Sequence, residues 1–327
     1  MATSAVTNFP NGISSFGLTQ AGSGIPATGG TYYFVDYGNG NDGNDGLSAA
    51  TPVKLVATAY SRATTNKDDV IVLMGNSTHV LTEMLSVTKS RVHFIGMDGT
   101  YGRMYGQNAK VSLTATTGAT NIATIKNTGV RNSFTNIKFI NASTVTEGIY
   151  CFVEAGEYTL IQNCEIYKST DLDQNLAAEL VMNGDSAQVI NCTIGSLADA
   201  RSGAVIRPNV LVTNGIVASA VARDVMFIGC NFWINASNTA NRFVYGANAA
   251  DVERMMLFEN CRFINNGASA AVPAQNVSFA ASLTVGSVLL NRCTSVKADT
   301  AMSTTTGVFV DGSVPAAATT GISVQAS

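Results

Sequence analysis

The chain has 327 residues, 46% of them apolar and only 13% charged, with a net charge of −3. That length suits one elongated domain or two compact ones and supplies a large core. Sparse charge with no block of one sign excludes a nucleic-acid footprint or a polybasic membrane patch, and no run of eighteen apolar residues marks a membrane-spanning helix.

Residues 1–35 carry no charge at all, yet place Phe9, Ile13, Phe16 and Leu18 among Gly, Ser, Thr and Pro. A free disordered tail is normally charged. Residues 1–30 therefore read as an extended docking arm, with Phe9, Pro10, Asn11, Gly12 and Phe16 as its contact residues. The opening MATSAVTNFPNG has neither the basic nor the apolar region of a signal peptide, so the expectation is synthesis in a cytoplasm, where thiols stay reduced.

Residues 31–76 read as a cap: strand, turn-rich loop, helix, strand. Thr31 to Tyr37 is β-branched and aromatic, and GNGNDGNDG at 38–46 is turn chemistry. Thr51 is placed to cap a helix with Pro52 at its first position, and Leu55, Val56, Ala59, Tyr60 and Ala63 then share one face. DVIVLMG is the next strand. Such a helix can plug the open end of a solenoid.

From here a seven-residue pattern recurs: IQNCEIY at 161–167, VINCTIG at 189–195, FIGCNFW at 227–233 and FENCRFI at 258–264. Cys164, Cys192, Cys230, Cys261 and Cys293 lie 28, 38, 31 and 32 residues apart. FTNIKFI at 134–140 fits with Ile137 in the cysteine's place, and HFIGMDG at 93–99 fits with Met97 there. Each copy alternates with a period of two, as a strand does, and the uneven intervals suit solenoid coils that carry insertions. The fold expected is all-β, a right-handed parallel β-helix of about seven to eight coils over 77–312, with 313–327 as an extension.

The cysteines are expected to be inert core residues stacked from coil to coil. Parallel Cβ vectors suit neither a disulfide nor a metal site, and Cys151 is read in the same way. Asn136, Asn163, Asn191 and Asn260 are expected to form an internal or corner ladder, because Asn tolerates left-handed φ.

Few candidate sites emerge. Asp36, Asn39, Asn41, Asp42, Asn44 and Asp45 could supply oxygens to calcium, but the spacing breaks the EF-hand rule and a turn is the better reading. DLDQN at 171–175 begins like a calcium loop but has Leu176 where Gly is needed. Asp68 and Asp69 are expected in a solvated loop and His79 and His93 on the surface. No metal or cofactor is expected. Trp233, Tyr167 and Tyr245 are possible sugar-stacking residues, each with edge packing as its alternative.

The 31–76 segment, with DGNDG…S…TP, a helix and an aliphatic strand ending in Gly, resembles the opening of pectin-lyase-like β-helix proteins. The resemblance covers 31–76 closely and 77–312 by coil pattern. It implies lyases with Asp or Glu calcium ligands and an Arg or Lys base on one face, or polygalacturonases with N-T-D, D-D, G-H-G and R-I-K motifs. This chain has no G-H-G, N-T-D or R-I-K, and Glu165, Asp185, Asp224 and Glu259 occupy scattered coil positions. Glu165 and Arg262 fall at equivalent positions three coils apart. No catalytic residue carries over, and fold alone does not license an activity. TNFPNGISSFG at 7–17, followed by YFVD and DGNDGLS, resembles bacteriophage virion proteins. That resemblance implies a non-enzymatic capsid decoration or tail projection, a homotrimer bound to other virion proteins. The alternative is a tailspike-like protein that binds or cleaves a host surface glycan.

Overall fold

In the computed structural model, the described residues are 29–97, 106–116, 122–169, 174–201, 203–217, 220–236, 238–267, 275–297 and 302–311, with single positions between them. The backbones of Ile13–Ser15, Leu18–Ala21 and Ile322–Val324 are also described. The chain winds as a right-handed parallel β-helix with three long sheets of ten, nine and seven strands. Ile13–Ser15 and Leu18–Ala21 form a separate antiparallel pair.

One turn of the solenoid shows the plan. Leu160–Gln162 lies in the first sheet, Glu165–Lys168 in the second and Ala178–Met182 in the third, and Gln188–Ile190 then returns to the first, paired in parallel with Leu160–Gln162. The first sheet begins with Tyr32–Val35 and ends with Val308–Val310. Ile322–Val324 closes the second sheet by pairing antiparallel with Thr294–Val296.

The repeated heptad is the corner between the first and second sheets. Asn136, Asn163, Asn191, Gly229, Asn260 and Arg292 all hold φ between 50° and 64° there. Each of the first five donates its backbone N–H to a carbonyl of the next coil, from Asn136 to Gln162 at 2.9 Å through Asn260 to Asn291 at 3.0 Å. The asparagine ladder is therefore conformational. Only Asn136 and Asn163 are buried, while Asn191 and Asn260 are exposed, and Asn136 Nδ2 donates to Gly96 O at 2.8 Å.

The cysteine next to that corner points inward, and all six cysteines are free and fully buried. The five repeat thiols share one geometry. Sγ of Cys164, Cys192, Cys230, Cys261 and Cys293 lies 3.3–3.5 Å from the carbonyls of Phe134, Ile161, Val189, Phe227 and Phe258 in the preceding coil. A thiol is a weak donor, so each adds a second, weak contact to a carbonyl of the sheet ladder. The Met97 alignment is corrected. Ala109 precedes Lys110, which pairs with Lys138 just after Ile137, so Ala109 holds the column position.

Aromatic columns fill the rest of the core. Phe227 stacks on Phe258 with centroids 4.7 Å apart, and Phe232 on Phe263 at 4.8 Å. These are the strand spacing read through side chains.

The capping helix spans Val56–Arg62 and buries Val56, Ala59 and Tyr60. Its N-cap is Leu55, half exposed, and no side chain caps it. Thr51 hydroxyl instead donates to Asp45 Oδ1, and Val53 bridges to Val35. The chain ahead of the helix is thus held by the sheet edge, which displaces the start by several residues.

Candidate functional surfaces

A second set of corners, between the third and first sheets, also turns on single left-handed residues: Arg91, Arg131, Tyr158, Ser186 and Asp224. No residue type recurs there, so the sequence hides them. A partial signal does exist. Gly129, Gly156 and Gly184 each stand two positions earlier, and a Cβ on Gly156 would lie 2.1 Å from Gly129 O. Glycine is required because the backbones of neighbouring coils touch.

Beside these glycines runs a charged column. Glu157, Asp185 and Arg223 are bridged in register, one coil apart. They line a cleft of about 240 Å³ with Thr128, Gly156 and Val217. Arg223 pairs with Asp185 at 3.1 Å and also with Glu253, while Arg254 pairs with Asp224. The arginine's contacts thus run along the solenoid axis. Behind the cleft, Glu154 faces the interior and is fully buried. It accepts from Asn127 Nδ2, Gly156 N and Thr159 Oγ1. Burial without a cation pushes its carboxyl up to about 7, and those hydrogen bonds hold it from rising further.

A second buried polar cluster lies at the inner corner between the second and third sheets. Glu179 accepts from Arg201 at 2.8 Å and Arg207 at 3.0 Å, and all three are nearly inaccessible. Arg201 also donates to Arg207 O at 3.0 Å. Both arginines flank the connection that leaves the long strand Thr193–Arg201, so the cluster pins that connection into the core. Sequence reasoning missed Glu154 and Glu179, because a lone Glu within an aliphatic strand has no pattern of its own.

The acids singled out from the sequence fall on three different parts of the coil, two of them at the corner that also carries Glu157 and Glu253. Glu165 lies on the second sheet, paired with Lys138 at 2.7 Å, and its column continues through Thr193 and Asn231 to Arg262. Asp185 and Asp224 belong to the third-to-first corner and Glu259 ends a first-sheet strand.

The aromatic candidates divide between two faces. Tyr167, Gly195 and Trp233 occupy successive positions of one outward column on the second sheet, all partly or fully covered. Lys138 Nζ sits 4.8 Å from the Tyr167 ring centroid, so that ring face is occupied. Burial, with the nearby acids Glu165 and Asp199, pushes the Tyr167 hydroxyl up to about 12. Tyr245 lies on the third sheet, in a column with Val153, Val181 and Leu211. Those three are buried beneath Ile149, Leu176, Ile216 and Val217, making a satellite core out of what would otherwise be an open face.

The GNGNDGNDG oxygens serve the loop itself. Asp36 accepts from Gly38 and Asn39 N–H, Asp42 from Lys54 and Leu55 N–H, and Asp45 from Leu47 N–H. Asp69 is buried and accepts from Thr31 and Thr64, while Asp68 pairs with Arg91 and His93, which corrects the solvated-loop expectation. His79 is likewise not on the surface. It is fully buried with Nε2 2.9 Å from Met74 O, and burial lowers its pKa. His93 is partly covered and bonds Ser133. Asp171 and Asp173 of DLDQN, and Phe9, Pro10, Asn11, Gly12 and Phe16 of the arm, lie outside the described residues.

No protein-family model matches the sequence, and no curated protein matches it either. Solved structures do match in shape. A rhamnogalacturonan lyase aligns with a TM-score of 0.62 at 12% identity, over 86% of this chain and 73% of that one. Pectate lyase Pel9A aligns with a TM-score of 0.58 at 16% identity, over 87% of this chain and 69% of that one. The pectin methylesterase from Aspergillus niger aligns with a TM-score of 0.55 at 11% identity, over 92% and 94%. At such identities the likeness is one of fold, and the chain has the parallel β-helix fold of these pectin-active proteins.

Proposed function

We propose that this chain is a non-enzymatic structural protein of a bacteriophage virion, a β-helical projection or decoration fastened to the capsid or tail through the uncharged residues 1–30. The observation that carries the reading is the use made of its charges. Asp185–Arg223–Glu253, Asp224–Arg254, Lys138–Glu165 and Asp68–Arg91 are paired along the solenoid axis or across a corner. Their common effect is to register one coil on the next, which stiffens a rod and ties Asp185, Asp224, Glu253 and Glu165 to cations of the chain itself. The resemblance of 7–17 and 31–48 to phage virion proteins supports the same reading. A tailspike-like glycan-cleaving protein would instead need carboxylates left to face a sugar.

The test is mass spectrometry of gradient-purified particles from a lysate of cells that produce the chain. Its peptides should sediment with the virions and stay with them through a high-salt wash. Peptides found only in the soluble fraction would overturn the reading.

A further inference from the structure

The outer face of the first sheet is closed where the solenoid begins. Along Tyr32–Val35, Asp69–Met74 and Val92–Met97, the residues Val35, Ile71 and Phe94 belong to the core. By alternation, Tyr32, Phe34, Val70, Val72 and Ile95 point outward. Yet Val70 and Val72 are 0% accessible and Ile95 is 2%. Flanking strands alone do not achieve this. Further along the Val70 column, Leu160 and Leu257 each have an outward neighbour on either side and stay partly accessible. The three closed side chains therefore lie under a layer. Among the described residues, the apolar side chains packed there are only the cluster's own Tyr32, Phe34 and Met97. The closure exists in the single chain, so the layer is part of the chain itself.

Two stretches outside the described residues start beside this face, 98–105 after Met97 and the segment before Gly29. The first leads away from it. Gly106 N donates to Glu165 Oε2 at 3.0 Å and Gln107 Nε2 to Asn163 O at 2.6 Å, so that stretch ends two coils on, at the corner with the second sheet. The second joins the body at the face. Thr31 N donates to Asp69 Oδ1 at 2.7 Å, and a Cβ on Gly30 would lie 2.3 Å from Asp68 O. The chain thus enters pressed against the corner next to Val70. The antiparallel pair ends at Ala21, and the residues from there to Gly29 can reach about 27 Å. Three strands are only about 10 Å across. Residues 13–28 also have a suitable composition, with no charge and with Ile13, Phe16, Leu18 and Ile25.

We propose that residues 13–28 fold back over the outer face of the first three strands of the first sheet and seal Val70, Val72 and Ile95. This gives the arm a fixed root and leaves residues 1–12 to reach a partner. The inference holds whether or not the chain belongs to a virion.

Photo-crosslinking in the full chain tests it. Tyr32→p-benzoylphenylalanine keeps an aromatic ring on the face. Irradiation should join that ring to a peptide within residues 13–28. In a mixture of light and nitrogen-15 chains, the two joined peptides should carry the same isotope. A crosslink to 98–105, crosslinks that mix isotopes, or no crosslink within the chain would overturn the proposal. Ile13→Asp together with Leu18→Asp leaves the coils untouched and should raise the fluorescence of the apolar dye ANS severalfold as the face opens. A signal equal to wild type would overturn the proposal as well. Neither measurement depends on sedimentation with virions, so its failure is distinct from failure of that reading.

Discussion

Glu179 and Arg201 form an ion pair of 2.8 Å inside the prism, with side chains 1% and 2% exposed. Arg207 joins it from the far end of the same connection, so one carboxylate holds two guanidinium groups in a place water does not reach. Such a cluster fixes geometry more than it adds stability, because desolvation offsets much of the attraction. Breaking it is another matter. Glu179→Gln leaves two buried cations without their counter-charge and should lower the unfolding free energy by roughly 3–5 kcal/mol. Urea unfolding followed by circular dichroism measures this, and a loss within about 0.5 kcal/mol of zero, the range of an ordinary surface substitution, would contradict the buried pairing.

Two buried groups give the stability opposite slopes with pH. Glu154 has its folded pKa raised to about 7 from an ordinary 4.5, so the native state binds the extra proton between those values. Stability should therefore fall as pH rises through that window, by an amount on the order of 3 kcal/mol in all. In Glu154→Gln that downward slope should disappear, whatever the offset in absolute stability. Melting temperatures from pH 5 to pH 8 read it directly.

His79 runs the other way. Its folded pKa is lowered by burial, and protonation would place a second N–H on Nδ1, which has no partner. Stability should fall as pH drops below the ordinary histidine value of about 6.5 toward the lower folded value. His79→Gln should lose that acid sensitivity while keeping the slope due to Glu154, and an unchanged acid limb would contradict it.

The six thiols should be silent in the native protein. All are buried in the core, out of a reagent's reach, and burial pushes the Cys151 thiol up to about 12. Since the thiolate is the reactive form, Ellman's reagent should titrate no thiol in buffer and six in denaturant. Rapid modification of even one native thiol would show that the column is open.

Glycine substitutions separate the corner contacts from general tolerance. Gly156→Ala drives a Cβ to 2.1 Å from Gly129 O, and Gly195→Ala adds a φ of +97° to a 2.0 Å approach to Trp233 O. Each should destabilise by about 2 kcal/mol or more, since backbone must move. Gly29→Ala meets nothing within 4 Å and serves as the control. Equal effects at all three positions would argue against the coil-to-coil contacts.

The parts of this structure that the sequence reveals are those where one residue type recurs in one conformation. The Asn–Cys corner does so, because a left-handed corner favours Asn and the narrow core next to it favours a small residue that can donate to the preceding coil. The opposite corner has the same φ and the same N–H donation to the next coil at Arg91, Arg131, Tyr158 and Ser186, yet no residue type recurs there and it cannot be read. Thr51 failed as a cap because Val53 bridges to the sheet edge, a tertiary contact that outweighs local preference. Glu154, Glu179 and His79 were illegible for another reason. Their burial depends largely on partners elsewhere in the coil or in the next one, such as Asn127 for Glu154 and Arg207 for Glu179, which spacing within one strand does not record.

The central claim is that the charged groups of this solenoid hold its coils together and do not act on a glycan. The most direct measurement is turnover by the purified chain on a panel of pectic and capsular polysaccharides, with and without added Ca²⁺, followed by release of reducing ends and of unsaturated products. The expected result is no rate above that of the polysaccharide alone, in the wild type and in Asp185→Asn alike. Turnover that Asp185→Asn or Glu157→Gln abolishes would contradict the claim and make the cleft beside Arg223 an active site.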